Sequence, residues 1–371
     1  MNARIAEIAT VFLLALAGAA SAASVSLLRA PDGGIQPQAV VDGSGKAHLI
    51  YFKGDPKAGE LFYTHVEGDS FAPSIRVTAP SQGPMAIGNI RGAQLAVGKA
   101  GRPHVAWMGG GKIMYYARLN DAGTAFEAPR NLVTWAGGLD GGGTVAADQK
   151  GNVYVAWHGS PPENKAGEVG RAVFVARSSD EGKTFSKEER VTTTEKGVCG
   201  CCGMRGYTDS RGDVFFLYRA ADGTSRDMML LESVDAGKTF KSALVSRWAI
   251  NQCPMSSSTM APAGQGILAA TEQKGQVSFA RISADNLAVS ETIQAPGLGK
   301  RKHPVVLTNS KAETLLAWTE NMGWAKGGSL SWQLYDADQK SIAEKKSAPG
   351  VPVWSLITGF TKPNGDFVII Y

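Results

Sequence analysis

Ser178-Ser179-Asp180-Glu181-Gly182-Lys183-Thr184-Phe185 and Ser233-Val234-Asp235-Ala236-Gly237-Lys238-Thr239-Phe240 spell one phrase, S-x-D-x-G-x-T-F. Each follows an alternating apolar run of the kind that forms a half-buried strand. The phrase describes a hairpin turn that satisfies itself. Asp accepts hydrogen bonds from backbone N–H groups inside the turn, and Gly takes the positive φ that other residues resist. The Phe then leaves the turn to pack under neighbouring strands. Two weaker copies, Asn120-Asp121-Ala122-Gly123-Thr124-Ala125-Phe126 and Glu67-Gly68-Asp69-Ser70-Phe71, stand at similar points earlier in the chain.

The turns belong to a larger unit. Gln38 to Gly45, Gln94 to Gly101 and Thr144 to Gly151 each read as a strand closing on a Gly-containing turn. Second strands follow at His48-Leu49-Ile50-Tyr51, His104-Val105-Ala106-Trp107 and Tyr154-Val155-Ala156-Trp157, with later copies at Phe215–Tyr218, Ile267–Ala270 and Leu315–Trp318. Comparable points at Gln38, Gly92, Gly143, Arg205, Ser258, Pro304 and Trp354 are 46 to 62 residues apart. A period near 50 with four strands per unit predicts an all-β propeller. Seven openings predict seven blades, with six the alternative. The last unit, Trp354 to Ile357 and Phe367 to Tyr371, has two strands, so Val25 to Leu28 is expected to complete it. A parallel β-helix is excluded by its much shorter repeat.

The paired turns resemble the Asp-box (BNR) motif of the sialidase-like β-propellers. A second pattern runs from Cys199-x-Cys201-Cys202 through Tyr218-Arg219 and Arg226-Asp227 to Trp248-x-Ile250-x-x-Cys253-Pro254. It resembles a group of exported bacterial sialidase-like proteins. These likenesses imply one Asp-box propeller domain over residues 23–371.

The start of the chain carries an address. Arg4, an apolar stretch from Ile8 to Ala20 and Ala20-Ser21-Ala22 match a secretory signal peptide over residues 1–22, cut near Ala22. The apolar stretch is shorter than the roughly 20 residues a spanning helix needs, and no second run is long enough. A periplasmic or secreted protein is expected. Lys and Arg number 38 against 33 for Asp and Glu, scattered rather than clustered. Without a Lys/Arg run to track phosphates, nucleic acid is excluded as a partner class. A small molecule, a glycan or a metal remains.

In a propeller the Asp boxes fall on one rim. The loop into each blade and the loop after its second strand fall on the other, where function usually sits. That second rim is predicted to collect Arg91, Asp140, Cys199 to Arg205, Gln252 to Met255, Lys302 and His303. Trp107, His158, Arg219, Glu272 and Glu320 join it from the second set of loops. All four cysteines are in this set. In an exported protein an even number of cysteines reads first as disulfides, with Cys202–Cys253 the expected bridge between blades. Cys199 and Cys201 are too close in sequence for an unstrained bridge. The second reading is a soft-metal site: Cys199, Cys201, Cys202 and Cys253 with the Met204 and Met255 thioethers suit Cu(I) better than Ca²⁺ or Mg²⁺. Zinc is less favoured by the spacing, and a catalytic or redox thiol is the third reading.

A sialidase makes further demands: three arginines on the sugar carboxylate, a Tyr–Glu nucleophile and an Asp acid/base. The R-I-P signature is absent, and Ser74-Ile75-Arg76-Val77 is the nearest string. Arg91, Arg205 and Arg219, with Asp140, Glu272 and Glu320 as acids and Tyr207 as phenol, are the candidates. Each has an ordinary alternative as a solvated side chain. His48 and His104 read as packing residues, and His158 and His303 as rim ligands. Trp107, Trp157 and Trp318 occupy equivalent, structural positions, and Lys300-Arg301-Lys302 reads as a solvated loop. Three functions follow: a ligand- or metal-binding propeller first, an exo-α-sialidase or related glycoside hydrolase second, a protein-interaction scaffold third.

Overall fold

The computed structural model describes residues 22–371 except 83–84, 88–91, 193–195 and 324. The expected signal peptide, apart from Ala22, and Arg91 lie outside the described residues.

Alternating strands joined by tight turns build seven sheets arranged as the blades of a propeller. The innermost strands are Ile35–Val41, Gln94–Val97, Gly143–Ala147, Arg205–Thr208, Thr259–Pro262, Arg301–Thr308 and Thr358–Thr361, and they define blades I to VII. Each pairs antiparallel with a second strand, which in blade III is Val153–Gly159 and in blade IV Val214–Ala221. The all-β propeller with seven blades is therefore the observed architecture.

Blade VII closes the ring as expected, but with a difference. Val25–Leu28 pairs with Phe367–Ile370 in parallel, Val25 opposite Phe367 and Leu28 opposite Ile370. The reason is geometric. Only Arg29 to Gly34 link this strand to the top of blade I, so it must run upward like the second strands. The inner strand of this blade also starts later than expected, at Thr358 rather than Trp354, because Trp354 takes φ 62° and turns the chain first.

Apolar residues meet between neighbouring blades. Ala96, Ala106, Met114 and Tyr116 of blade II pack on Val145, Val155, Trp157 and Phe174 of blade III. Trp157 is fully buried, and its indole N–H donates to Ala136 O at 3.0 Å, which removes the cost of burying a polar atom. The inner strands enclose a central channel of about 570 Å³.

The repeated turns occupy the lower rim, between third and fourth strands. Asp180 Oδ1 accepts from Thr184 N at 2.9 Å and Ser178 Oγ at 2.7 Å, and Oδ2 from Thr184 Oγ1 at 2.6 Å. Asp235 repeats the set with Thr239 N at 2.9 Å, Ser233 Oγ at 2.7 Å and Thr239 Oγ1 at 2.7 Å. Glu181 and Ala236 share the left-handed backbone of the following glycines, at φ 59° and 60°. Gly182 has a second reason to be glycine: a Cβ there would stand 1.8 Å from the Tyr116 hydroxyl of blade II. Phe185 packs edge-on to the same Tyr116, ring centroids 4.7 Å apart. Of the weaker copies, Asn120 Oδ1 accepts from Thr124 N at 3.0 Å in the Asp role. Asp69 instead pairs outward with Lys362.

Candidate functional site

The upper rim of blades III to V brings together most of the residues expected there. Its centre is an irregularity in blade IV. Gly197–Val198 and Arg205–Thr208 both pair with the second strand Val214–Ala221, Val198 opposite Ala220 and Arg205 opposite Leu217. Cys199 to Met204 bulge out opposite only Tyr218 and Arg219. The C-x-C-C segment is therefore an insertion within the inner strand, and it contributes to the longest spacing of the repeat. Bulges re-aim side chains, and here they aim three sulfurs inward.

Cys199, Cys201 and Cys202 are buried, with their sulfurs within 4.8 Å of one another. Cys199 Sγ lies 3.4 Å from Cys201 Sγ and 3.5 Å from Cys202 Sγ. The disulfide runs from Cys253 to Cys201, not to Cys202 as expected. Cys202 is instead turned toward Ser256, whose hydroxyl is 3.8 Å from its sulfur, and remains a thiol like Cys199. The bridge still joins blade IV to the loop leading into blade V.

A buried guanidinium supports the cluster. Arg219 donates to Ser256 Oγ at 3.0 Å, Glu272 O at 3.0 Å and Arg226 O at 2.6 Å, and lies over the Trp248 ring at 4.8 Å. Asp227 accepts from Trp248 N at 3.1 Å and from Lys196. The residues of the longer pattern thus meet as one scaffold beneath the cysteines. Burial pushes the Cys202 thiol up, but three neighbours outweigh it: the Cys199 hydrogen bond, the Arg219 charge and Ser256. They hold Cys202 below the usual thiol range. Its own hydrogen bond to Cys202, and then burial, push Cys199 up. Burial also raises the Glu272 carboxyl, against the pull of Lys302 and Arg219.

Neighbouring loops seal the site. Lys302 Nζ donates to Pro254 O at 3.1 Å and Met255 O at 3.4 Å, tying down the Cys253 loop. Met255 packs on the cysteine cluster. Met204 does not: its side chain lies in the core between blades III and IV, with Tyr154, Val175 and Phe216. His158 is fully buried and accepts from Asp140 N and Gly141 N, each at 3.1 Å, through Nε2. Burial holds it down to about 3, so it stays neutral. His303 is buried in the inner strand of blade VI, bonded to Thr319 Oγ1 at 3.0 Å. Gln36, Met255, His303 and Trp354 stand where the chain turns into blades I, V, VI and VII, with φ between 46° and 62°.

The sialidase candidates separate. Arg205 reaches across the channel to Gln94 Oε1 and donates to Ser258 O at 3.0 Å; burial lowers its guanidinium to about 10. Arg219 is committed beneath the cysteines. Tyr207 packs on Phe215 in the core between blades IV and V. Glu320 accepts from Trp318 Nε1 and Lys345 Nζ, each at 2.8 Å. Arg301, expected in a solvated loop, is 1% exposed and stacks on Trp318 at 5.1 Å. Ser256, Trp248 and Lys302 are the partners that residue types alone did not mark for these roles.

No family model and no curated protein matches the chain. Solved structures do. A protein of unknown function from Dyadobacter fermentans superposes with a TM-score of 0.53 at 16% identity, covering 81% of this chain and 94% of that one. An ulvan lyase of a polysaccharide lyase family, bound to a GlcA–Rha3S sugar, gives 0.52 at 11% identity, with 88% and 87% covered. The NanB sialidase of Streptococcus pneumoniae gives 0.48 at 12%, covering 92% of this chain and 66% of that one. The first two likenesses establish the propeller fold and leave the chemistry to the site itself.

Proposed function

We propose that this chain is an exported propeller that binds a soft metal ion, Cu(I) foremost, through Cys199, Cys201 and Cys202 once its disulfide is reduced. The observation that carries this reading is the convergence of three buried sulfurs within 4.8 Å. Thiolate sulfur selects Cu(I) over the oxygen-seeking Ca²⁺ and Mg²⁺, and burial excludes competing water. Cys253 and the Met255 thioether are the nearest further donors. Export to an oxidising compartment fits the Cys201–Cys253 bridge.

The glycoside hydrolase reading, sialidase type, and the interaction scaffold rest on fold likeness alone. The hydrolase also asks for arginines free to meet a carboxylate, whereas Arg205 and Arg219 already donate to protein oxygens.

The test is an anaerobic titration of reduced protein with Cu(I) against a chromogenic chelator. About one Cu(I) per chain is expected, as a three-sulfur site demands. Cys199→Ser/Cys202→Ser should abolish uptake while leaving the propeller folded. Unchanged uptake in that variant, or none in the reduced protein, defeats the reading.

A further inference from the structure

The Cys201–Cys253 bridge has one sulfur inside and one outside. Cys201 is 7% exposed and backed by Cys199 Sγ at 3.4 Å, whereas Cys253 is exposed at the rim. Exchange at a disulfide starts at the sulfur a thiolate can reach. Asn251 and Gln252, the residues before Cys253, are exposed as well. The leaving sulfur, Cys201, falls back into the existing cluster rather than into solvent.

We propose that the rim has a thiol–disulfide exchange activity, with Cys253 the docking sulfur for an external dithiol protein and the bridge a reversible lock on the sulfur cluster. A thiolate of the dithiol attacks Cys253 Sγ. The Cys253–Cys201 bond breaks, its electron pair leaves on Cys201, and a mixed disulfide joins Cys253 to the partner. The partner's second thiolate then attacks the partner sulfur of that mixed disulfide and releases Cys253. The partner ends as a disulfide; this chain has gained two electrons and, with the partner's two protons, two thiols. The lock's consequence for metal rests on the reading above. Oxidised, the cluster offers Cys199 and Cys202; reduced, it offers all three inner sulfurs and Cys253.

Two measurements on the full chain test this. A thioredoxin-type dithiol protein lacking its resolving cysteine should trap a mixed disulfide, and peptide mapping should place it on Cys253. An adduct on Cys199, Cys201 or Cys202, or no adduct on the folded protein, overturns the docking assignment. A Cys199–Cys201 pairing in the oxidised protein overturns the lock. Second, Ag(I), a redox-inert stand-in for Cu(I), should bind Cys253→Ser at least tenfold more tightly than oxidised wild type, both prepared without reductant under nitrogen. Equal binding by both defeats the lock and leaves the metal reading standing. Trapping at Cys253 with no Ag(I) binding even after full reduction defeats the metal reading and leaves exchange standing.

Discussion

The two rims of this propeller are built on opposite plans. On the lower rim the chain repeats itself: Asp180 and Asp235 each close a turn with their own Ser, Thr and Gly. Asp42, Asp148, Asp209 and Asn309 do the same for the inner turns, each side chain accepting from the N–H groups two and four residues on. On the upper rim nothing repeats around the C-x-C-C bulge, and order is imposed from a distance. Arg219 reaches Ser256 and Glu272, Lys302 reaches Pro254, and one disulfide crosses blades. The lower rim is built by local repetition, the upper rim by contacts that cross blades.

With the sulfur cluster proposed as the metal site, substitutions on the two rims should separate metal uptake from stability. The largest effect is expected from Cys199→Ser/Cys202→Ser, which should remove Cu(I) uptake, leave the propeller folded and shift unfolding by roughly 1–3 kcal/mol, because two buried thiols become buried hydroxyls. On the other rim, Gly182→Val should cost roughly 3 kcal/mol in denaturant unfolding, since it adds strain at positive φ and a clash with Tyr116. Asp180→Ala should cost about 1–2 kcal/mol through its lost turn bonds. Both lower-rim variants should keep full metal uptake. Lost uptake in either, or a collapse of the fold in the cysteine variant, breaks the comparison.

Acid should act in two windows and sharpen the division. His104, His158 and His303 are held down to about 3 by burial, the latter two on the upper rim. Below an unfolded value of 6.5 the unfolded chain binds protons that the folded chain refuses. Stability is therefore full above that pH and falls toward pH 3, by roughly 1 kcal/mol per pH unit per histidine. For Asp180 burial raises the carboxyl, but bonds from Thr184 and Ser178 outweigh it and lower it to about 2. Its contribution fades only as pH drops from about 4 toward 2. Denaturant midpoints should fall between pH 7 and 5, and His158→Gln should flatten that fall where Asp180→Ala does not. A midpoint that stays level or rises over this range contradicts the assignment.

What could be read from the chain divides along the same line. The lower rim was legible because each turn's hydrogen bonds lie within eight residues of sequence, so the phrase that specifies the turn also repeats the blade. The upper rim was legible as a place, not as an arrangement. That Asp140, His158, the cysteines, Arg219 and Lys302 share a rim followed from strand counting. That Cys253 bonds Cys201 did not, since it depends on a bulge opposite Tyr218 and Arg219 that no local pattern encodes. Met204 and Arg301 were misplaced for the same reason: spacing cannot tell a loop residue from one drawn into the core between blades. The parallel closing strand followed from the short Arg29 to Gly34 link, a constraint of topology rather than of residue type.

We propose the upper rim as a sulfur site for a soft metal. X-ray absorption at the copper edge of reduced, Cu(I)-loaded protein tests it most directly. Three sulfur neighbours at about 2.3 Å, near the zinc–thiolate distance, are expected, with the sulfur shell lost in Cys199→Ser/Cys202→Ser. A first shell of nitrogen or oxygen, or a sulfur shell that survives in that variant, would contradict the account.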